Sequence, residues 1–259
     1  MGRLDDITLE ELHEVREQTE GGIPRERVLA AIGRKQGDYI DTLAERHDVA
    51  EKTIRNWLDR FEKFQETVKK RPELTEKTVV VVDQFTKRVG TVQRRGWYPI
   101  GSNPTIETSN SWDKVTVLGA VTDDGDSFYC WTEDNLTSRE GIWLLGALEE
   151  RFGEELVVFL DRAGYFYNRD LWEYVSGERA TETVGDSSVA CVYGDEDTDL
   201  DVWYFPPKLP ELNPVEGCWD RLNEWFKHRL IRDLSTLKKK IQQGLKTVDE
   251  PNIWKFLCP

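Results

Sequence analysis

The sequence predicts an α/β domain, a mixed sheet flanked by helices, preceded by a small all-α helix-turn-helix module. Three observations carry that prediction. Residues 7–66 space their apolar side chains by three and four with no strand-like alternation. Short β-rich runs begin at residue 78, and helical patterns lie between or after the later ones. Two of those runs, VVVVDQF and LVVFLD, end on or near an aspartate.

The helical part opens with a segment from Thr8 to about Thr19, broken at Gly21-Gly22-Ile23-Pro24, where Pro24 suits the start of a second helix. The stretch YIDTLAERHDVAEKTIRNWLDRF (39–61) then has the grammar of a helix-turn-helix. Ile40, Leu43 and Ala44 face inward on one helix, Val49 fills the turn, and Ile54, Trp57 and Leu58 pack the next. That leaves Glu51, Lys52, Thr53, Arg55 and Asn56 on the outer face near the start of the second helix, where such a module meets base edges; Lys52, Thr53, Arg55 and Asn56 are the candidate readers. An amphipathic hairpin with a solvated face has the same apolar spacing, and Asp48, Glu51 and Asp59 lie close by. The boundary falls near Arg71-Pro72, with a module over 1–70, a linker over 71–77 and the α/β domain over 78–259.

Within that domain the strands are expected at 79–85, 115–122, 127–132, 156–161 and 202–205, and the helices at about 139–152, 167–175 and 215–246. Residues 176–201 carry eight acids against one arginine, so they are expected to form a solvated insertion outside the core.

Composition bounds the function. At 259 residues and 38% hydrophobic content the chain can fill a core. No apolar run approaches the ~20 residues that cross a bilayer, and the start MGRLDDITLEEL has no apolar signal segment, so no membrane partner and a cytoplasmic location are expected. Cys130, Cys191, Cys218 and Cys258 are scattered, which suggests neither a zinc cage nor a disulfide framework. The net charge of −14 is awkward for a nucleic-acid protein. Either the partner is not DNA, or the chain works in a salty cytoplasm, where a Debye length of about 3 Å at 1 M screens distributed acid.

The stronger signal is the order of carboxylates. Asp83 ends the first apolar strand, Asp161 ends a later one, and Glu216 follows in LPELNPVEGCW at the start of a helix. In an RNase H-like sheet the first and fourth strands are neighbours, and a helix after the fifth can set its carboxylate over their ends. Three crowded carboxylates repel one another unless cations compensate. Oxygen-only ligands suit Mg²⁺ or Mn²⁺, and two such ions can drive an in-line phosphoryl displacement without a histidine base. Each acid has an ordinary alternative: a turn residue for the aspartates, and for Glu216 a capping box with Asn213 as N-cap and Pro214 as first helical residue. Those alternatives do not explain the shared order.

With these motifs in hand, the sequence resembles the mariner-allied insertion-sequence transposases of bacteria and archaea, the group called six-thirty. The resemblance covers residues 78–259: VVVVDQ is similar to the family's first motif, VVFLDRAGYF to its second, and LNPVEGCW to its third, L-N-P-[IV]-E-x-x-W. It implies that Asp83, Asp161 and Glu216 form a D-D-E triad, with Asn213, Pro214 and Trp219 as structural members of the third motif. QRRGWYPIGSNP (93–104) resembles the segment after the first aspartate, where basic and aromatic residues lie near DNA, making Arg94, Arg95 and Trp97 candidate contacts. It further implies terminal inverted repeats as substrate, TA as target DNA, and a homodimer on paired ends. Three departures stand out. Tyr165 and Phe166 occupy the region where many members have histidine, the interval from Asp161 to Glu216 is longer than usual, and a second helix-turn-helix with its hinge is missing between WLDRFEK and the first strand. The third departure reads most simply as an internally shortened copy, and the acidity suits a halophilic archaeon as the source.

The resulting expectation is a transposase that cuts element ends and joins their 3'-OH groups to target DNA. Its rivals are an RNase H-like nuclease that does not join strands and an inactive helix-turn-helix DNA-binding protein derived from a transposase.

Overall fold

The computed structural model describes residues 4, 7–19, 23–69, 71, 73–90, 100–102, 111–153, 155–177, 190–194, 199–207, 209–227, 229–248, 251 and 253. Helix α1 (Leu9–Gln18) starts at a capping box, in which Thr8 accepts from the Glu11 N–H and the Glu11 carboxylate accepts from the Thr8 N–H. Helices α2 (Ile23–Lys35), α3 (Ile40–Arg46) and α4 (Glu51–Lys69) complete the module. Leu43, Ala44, Ile54 and Leu58 are buried, and Ile40, Val49 and Trp57 pack against them, as the apolar spacing requires. The α3–α4 turn lacks glycine, yet it takes the left-handed conformation at Asp48, with φ at 50°. Aspartate tolerates that region because its short side chain bonds locally.

The segment expected to be a linker contributes Leu74 to the core. It holds a short helix, α5 (Glu73–Glu76), and Leu74 is buried among the same apolar residues as the module. The reason lies in α4, which continues past the helix-turn-helix and carries a second apolar stripe of Phe61, Phe64 and Val68. Phe64 meets Phe159 and Phe205 of the α/β domain, with ring centroids 6.4 and 5.7 Å apart. One apolar core therefore runs from Leu4 to Ile253.

The α/β domain is built on β1 (Thr78–Arg88), β2 (Lys114–Thr122), β3 (Ser127–Thr132), α6 (Ser138–Phe152), β4 (Leu156–Leu160), α7 (Arg169–Ser176), β5 (Ala190–Val192), β6 (Leu200–Tyr204), a 3-10 turn Pro210–Leu212, α8 (Glu216–Phe226) and α9 (Leu234–Leu245). The six strands lie in the order β3-β2-β1-β4-β6-β5. β1 runs antiparallel to β2 and parallel to β4, and β4 runs parallel to β6. Side-chain alternation divides the sheet into two buried faces. Val80, Val82, Val158 and Val202 meet α6 and α7, while Val79, Val81, Phe159 and Trp203 meet α4, α8 and α9.

Two expectations need correction. The acidic stretch 176–201 is not wholly outside the core, because Ala190–Val192 forms the edge strand β5 against β6 and Cys191, Val192 and Leu200 are buried. The three apolar residues Ala-Cys-Val suffice for one short edge strand beside acidic neighbours. The pattern over 215–246 is two helices. Lys227 turns extended after α8, Ile231 bridges to Gly90, and Asp233 caps α9 by accepting from the Thr236 N–H at 2.8 Å.

Candidate active site

The sheet itself aligns the first two carboxylates. In the parallel β1–β4 pair Val81 stands opposite Phe159, and the same register two residues further on brings Asp83 level with Asp161, just beyond the end of β4. Alternation points Asp83 to the face shared by Val79, Val81 and Phe85, beneath α8.

The third carboxylate is brought in by the LNPVE turn. The Asn213 amide donates to the Val82 carbonyl at 3.3 Å, and its side-chain oxygen accepts from the Val215 N–H at 3.0 Å. One asparagine thus ties the turn to β1 beside Asp83 while shaping the entry to α8. Val215 is the N-cap of α8 and Glu216 is its first residue, so Glu216 is not at the capping-box position. Asp83, Asp161 and Glu216 all line one cleft of about 410 Å³, with Arg162 and Pro210 also in its wall. Among the described residues, no three acidic, histidine or cysteine side chains close into a ready-made metal cage.

Trp219 locks Asp83. Its indole N–H donates to the Asp83 carboxylate at 2.8 Å, and its ring stacks on Phe85 and meets Tyr129 edge-on, with centroids 5.4 and 6.2 Å apart. Gly119 makes room for that ring: a methyl group there would lie 2.5 Å from the indole. Sequence reading missed Gly119. The available signal was a lone glycine inside the apolar run VTVLGAVT, which marks close approach by a neighbour.

Burial pushes the Asp83 carboxyl well above the usual range; Glu216 and Asp161 add to the push, while the Gln84 backbone and Trp219 bonds oppose it. Burial also raises Asp161, against the pull of the Ala163 N–H at 3.1 Å. Tyr165 stays a protonated phenol, raised first by burial and then by the charges of Asp161 and Asp83. Arg162 has its acidity increased by burial, and its Nε–H donates to the Phe205 carbonyl at 3.1 Å, joining the ends of β4 and β6.

The candidate DNA contacts are distributed differently. Lys52, Arg55 and Asn56 are exposed on the first turns of α4 and Thr53 is half-buried. Arg55 pairs with Glu51, and Asp41, Glu45, Asp48 and Glu51 line the adjoining hollow, so this face is locally acidic. Arg94, Arg95 and Trp97 lie outside the described residues. Lys87 is buried because alternation turns it under α8. It donates to the Asn223 side chain at 3.1 Å and lies 4.8 Å over Phe226.

Strand order and helix placement define an RNase H-like α/β fold behind a helical module. Residues 78–238 match the family model described as DDE superfamily endonuclease, and the chain belongs to that family. No curated protein matches it in sequence. Solved structures share its fold, among them the following three, each over 92% of this chain. The Mos1 transposase paired-end complex with left transposon end is 14% identical, with a TM-score of 0.53 and 77% of that chain covered. The Mos1 strand transfer complex is 11% identical, with a TM-score of 0.54 and 76% covered. The mariner Mos1 paired-end complex with Mg is 15% identical, with a TM-score of 0.52 and 77% covered.

Proposed function

We propose that this chain is a mariner-like DNA transposase of an insertion sequence, in which Asp83, Asp161 and Glu216 perform the chemistry. The observation that carries this reading is the meeting in one cleft of three carboxylates that lie far apart in sequence, within a DDE endonuclease fold. Their donor set fits a hard divalent cation. Burial raises the proton affinity of Asp83 and Asp161, and the charges of Glu216 and Asp161 raise that of Asp83 further, so added positive charge is stabilising here; carboxylate oxygens suit Mg²⁺ or Mn²⁺, which keep several ligands from water and phosphate. Two such ions, when bound, activate the attacking oxygen and stabilise the leaving one.

The protein's own groups have distinct tasks in this reading. Asp83, held by Trp219, and Asp161, held by the Ala163 N–H, present fixed carboxylates from adjacent strand ends. Glu216 completes the set from α8, and Asn213 holds its turn against β1. Arg162 places positive charge in the wall of the cleft, which favours the approach of a DNA phosphate. The α3–α4 unit, with Lys52, Thr53, Arg55 and Asn56 outward, would read the ends of the element, assisted by Arg94, Arg95 and Trp97. The substrates in this proposal are terminal inverted repeats and TA-containing target DNA, engaged by a homodimer. The short passage from α4 through α5 into β1 supports an internally shortened member of the six-thirty group, and the net charge of −14 supports a halophilic source.

The test is a purified reaction with a duplex carrying the inverted repeats that flank the gene, a target plasmid, and Mg²⁺ or Mn²⁺. Cleavage and strand-transfer product in wild type, both lost in Asp83→Asn and Glu216→Gln, are the expected outcome. Cleavage without joined product would favour a nuclease. Binding without metal-dependent cleavage would favour an inactive DNA-binding derivative.

A further inference from the structure

Arg27 and Glu211 are 184 residues apart and form a buried ion pair, with the Arg27 Nη1 3.0 and 3.2 Å from the two carboxylate oxygens. Both residues are almost wholly enclosed, at 9% and 4% exposure. The guanidinium also lies 6.0 Å over the Trp57 ring of α4, and Arg60 of α4 adds its positive charge at Glu211. One end of the pair therefore belongs to the helical module, and the other lies in the 3-10 turn Pro210–Leu212. Next in the chain come Asn213, bonded to the Val82 carbonyl beside Asp83, and Glu216 at the start of α8. Leu209, Pro210, Asn213 and Glu216 line the cleft itself.

We propose that Arg27 is a positioning residue for the cleft: through Glu211 it sets the turn that carries Asn213 and Glu216, so the helical module forms part of the catalytic apparatus. The inference rests on reading Glu216 as a metal-holding carboxylate. A buried ion pair is a weak source of stability, because desolvation offsets its attraction, and apolar residues of similar size would join the two surfaces as well. It does supply direction. Two oxygens held on one nitrogen restrict the rotation of a short turn that apolar contact would leave free to slide.

The test uses the full chain with Arg27→Met and Glu211→Met combined, so that neither charge is stranded. Arg27→Lys and Glu211→Gln, which change the pair more gently, are measured in parallel and keep the test readable if the double variant does not fold. Thermal melting, backbone hydrogen exchange and calorimetric Mn²⁺ binding are recorded. The double variant is expected to melt close to wild type and to exchange faster over residues 209–219, with unchanged protection over 79–82 and 156–160. Its Mn²⁺ affinity should fall by about 10- to 100-fold, the range typical of losing an outer support of a metal ligand. Arg27→Lys should recover most of both effects, and Glu211→Gln should fall between. Unchanged exchange at 209–219, a rise spread evenly over the chain, or unchanged Mn²⁺ affinity would each overturn the inference. If wild type binds no Mn²⁺, or Asp83→Asn binds it equally well, the metal reading fails and the inference fails with it. If Mn²⁺ binding is lost in Asp83→Asn but intact in the paired variant, only the inference fails.

Discussion

Asp83 is held in a form that disfavours its own charge. Its carboxyl is raised chiefly by burial and then by Glu216 and Asp161, so the folded protein binds the Asp83 proton more tightly than the unfolded chain does. Ionising Asp83 therefore lowers stability as pH rises from the ordinary aspartate range through the raised folded value. Asp83→Asn removes that burden while keeping an oxygen to accept from Trp219. The variant is expected to melt above wild type at about pH 8, with the difference vanishing at acid pH where both states are protonated. Added Mg²⁺ should raise the melting temperature of wild type and not that of the variant. A melting temperature lowered at every pH would show that Asp83 is a structural carboxylate. Gly119 can be probed in the same way. A methyl group 2.5 Å from the Trp219 ring must displace the ring or the strand. Gly119→Ala should therefore lose about 1–3 kcal/mol in denaturant unfolding and quench cleavage as Trp219 leaves Asp83. An unperturbed variant would mean that the indole has room to move.

Among the elements, α4 has two roles along one length. Its first turns expose Lys52, Arg55 and Asn56, and its later turns bury Phe61, Phe64 and Val68, with Phe64 against Phe159 of the sheet. The outer face is acidic as well as basic, so phosphate neutralisation would be a poor basis for the DNA reading proposed for it. A protein neutralising about six phosphates shows a slope near −5 in log K against log[salt]. This chain is expected to show a shallower slope and a preference for cognate over scrambled duplex that Arg55→Ala abolishes, measured by fluorescence anisotropy over a range of KCl. A steep slope with no sequence preference, unchanged in Arg55→Ala, would shift DNA capture to the α/β domain. Strand β5 supplies a second element test. If residues 178–189 form the surface loop that their acidity suggests, shortening them should leave melting nearly unchanged, since loop closure changes by only about 0.6 kcal/mol per doubling of length. Val192→Asp should unfold the sheet edge by burying an unpaired charge. Equal tolerance of both changes would show that β5 is dispensable.

At the scale of the whole molecule, the two functional halves share one interior. Phe64 covers Phe159 and Phe205, Leu74 joins the same core, and Arg27 reaches Glu211 across the junction. Residues 78–259 expressed alone would expose that apolar face of the sheet. The fragment is expected to aggregate or to bind a hydrophobic dye strongly, as checked by size-exclusion chromatography and dye fluorescence. A soluble monomer with cooperative melting would show that the helical module is an accessory unit. Among the described residues, no helix is long and apolar enough to cross a membrane.

The sequence by itself determined what depends on local pattern: the helical periodicity before residue 66, the strands from 78 onward, the apolar anchors of the α3–α4 unit, and the order in which Asp83, Asp161 and Glu216 occur. These were legible because side-chain period and turn chemistry act over a few residues. Only the tertiary structure decided that Leu74 of the expected linker joins the core, that Cys191 and Val192 form an edge strand, that Lys87 lies under α8, and that Gly119 yields its space to Trp219. Each of these depends on a partner far away in the chain. No window of sequence contains both members of Arg27–Glu211 or of Asp83–Trp219; folding brings them together because the parallel register of β1 and β4 and the shared apolar face beneath α4 and α8 leave them adjacent.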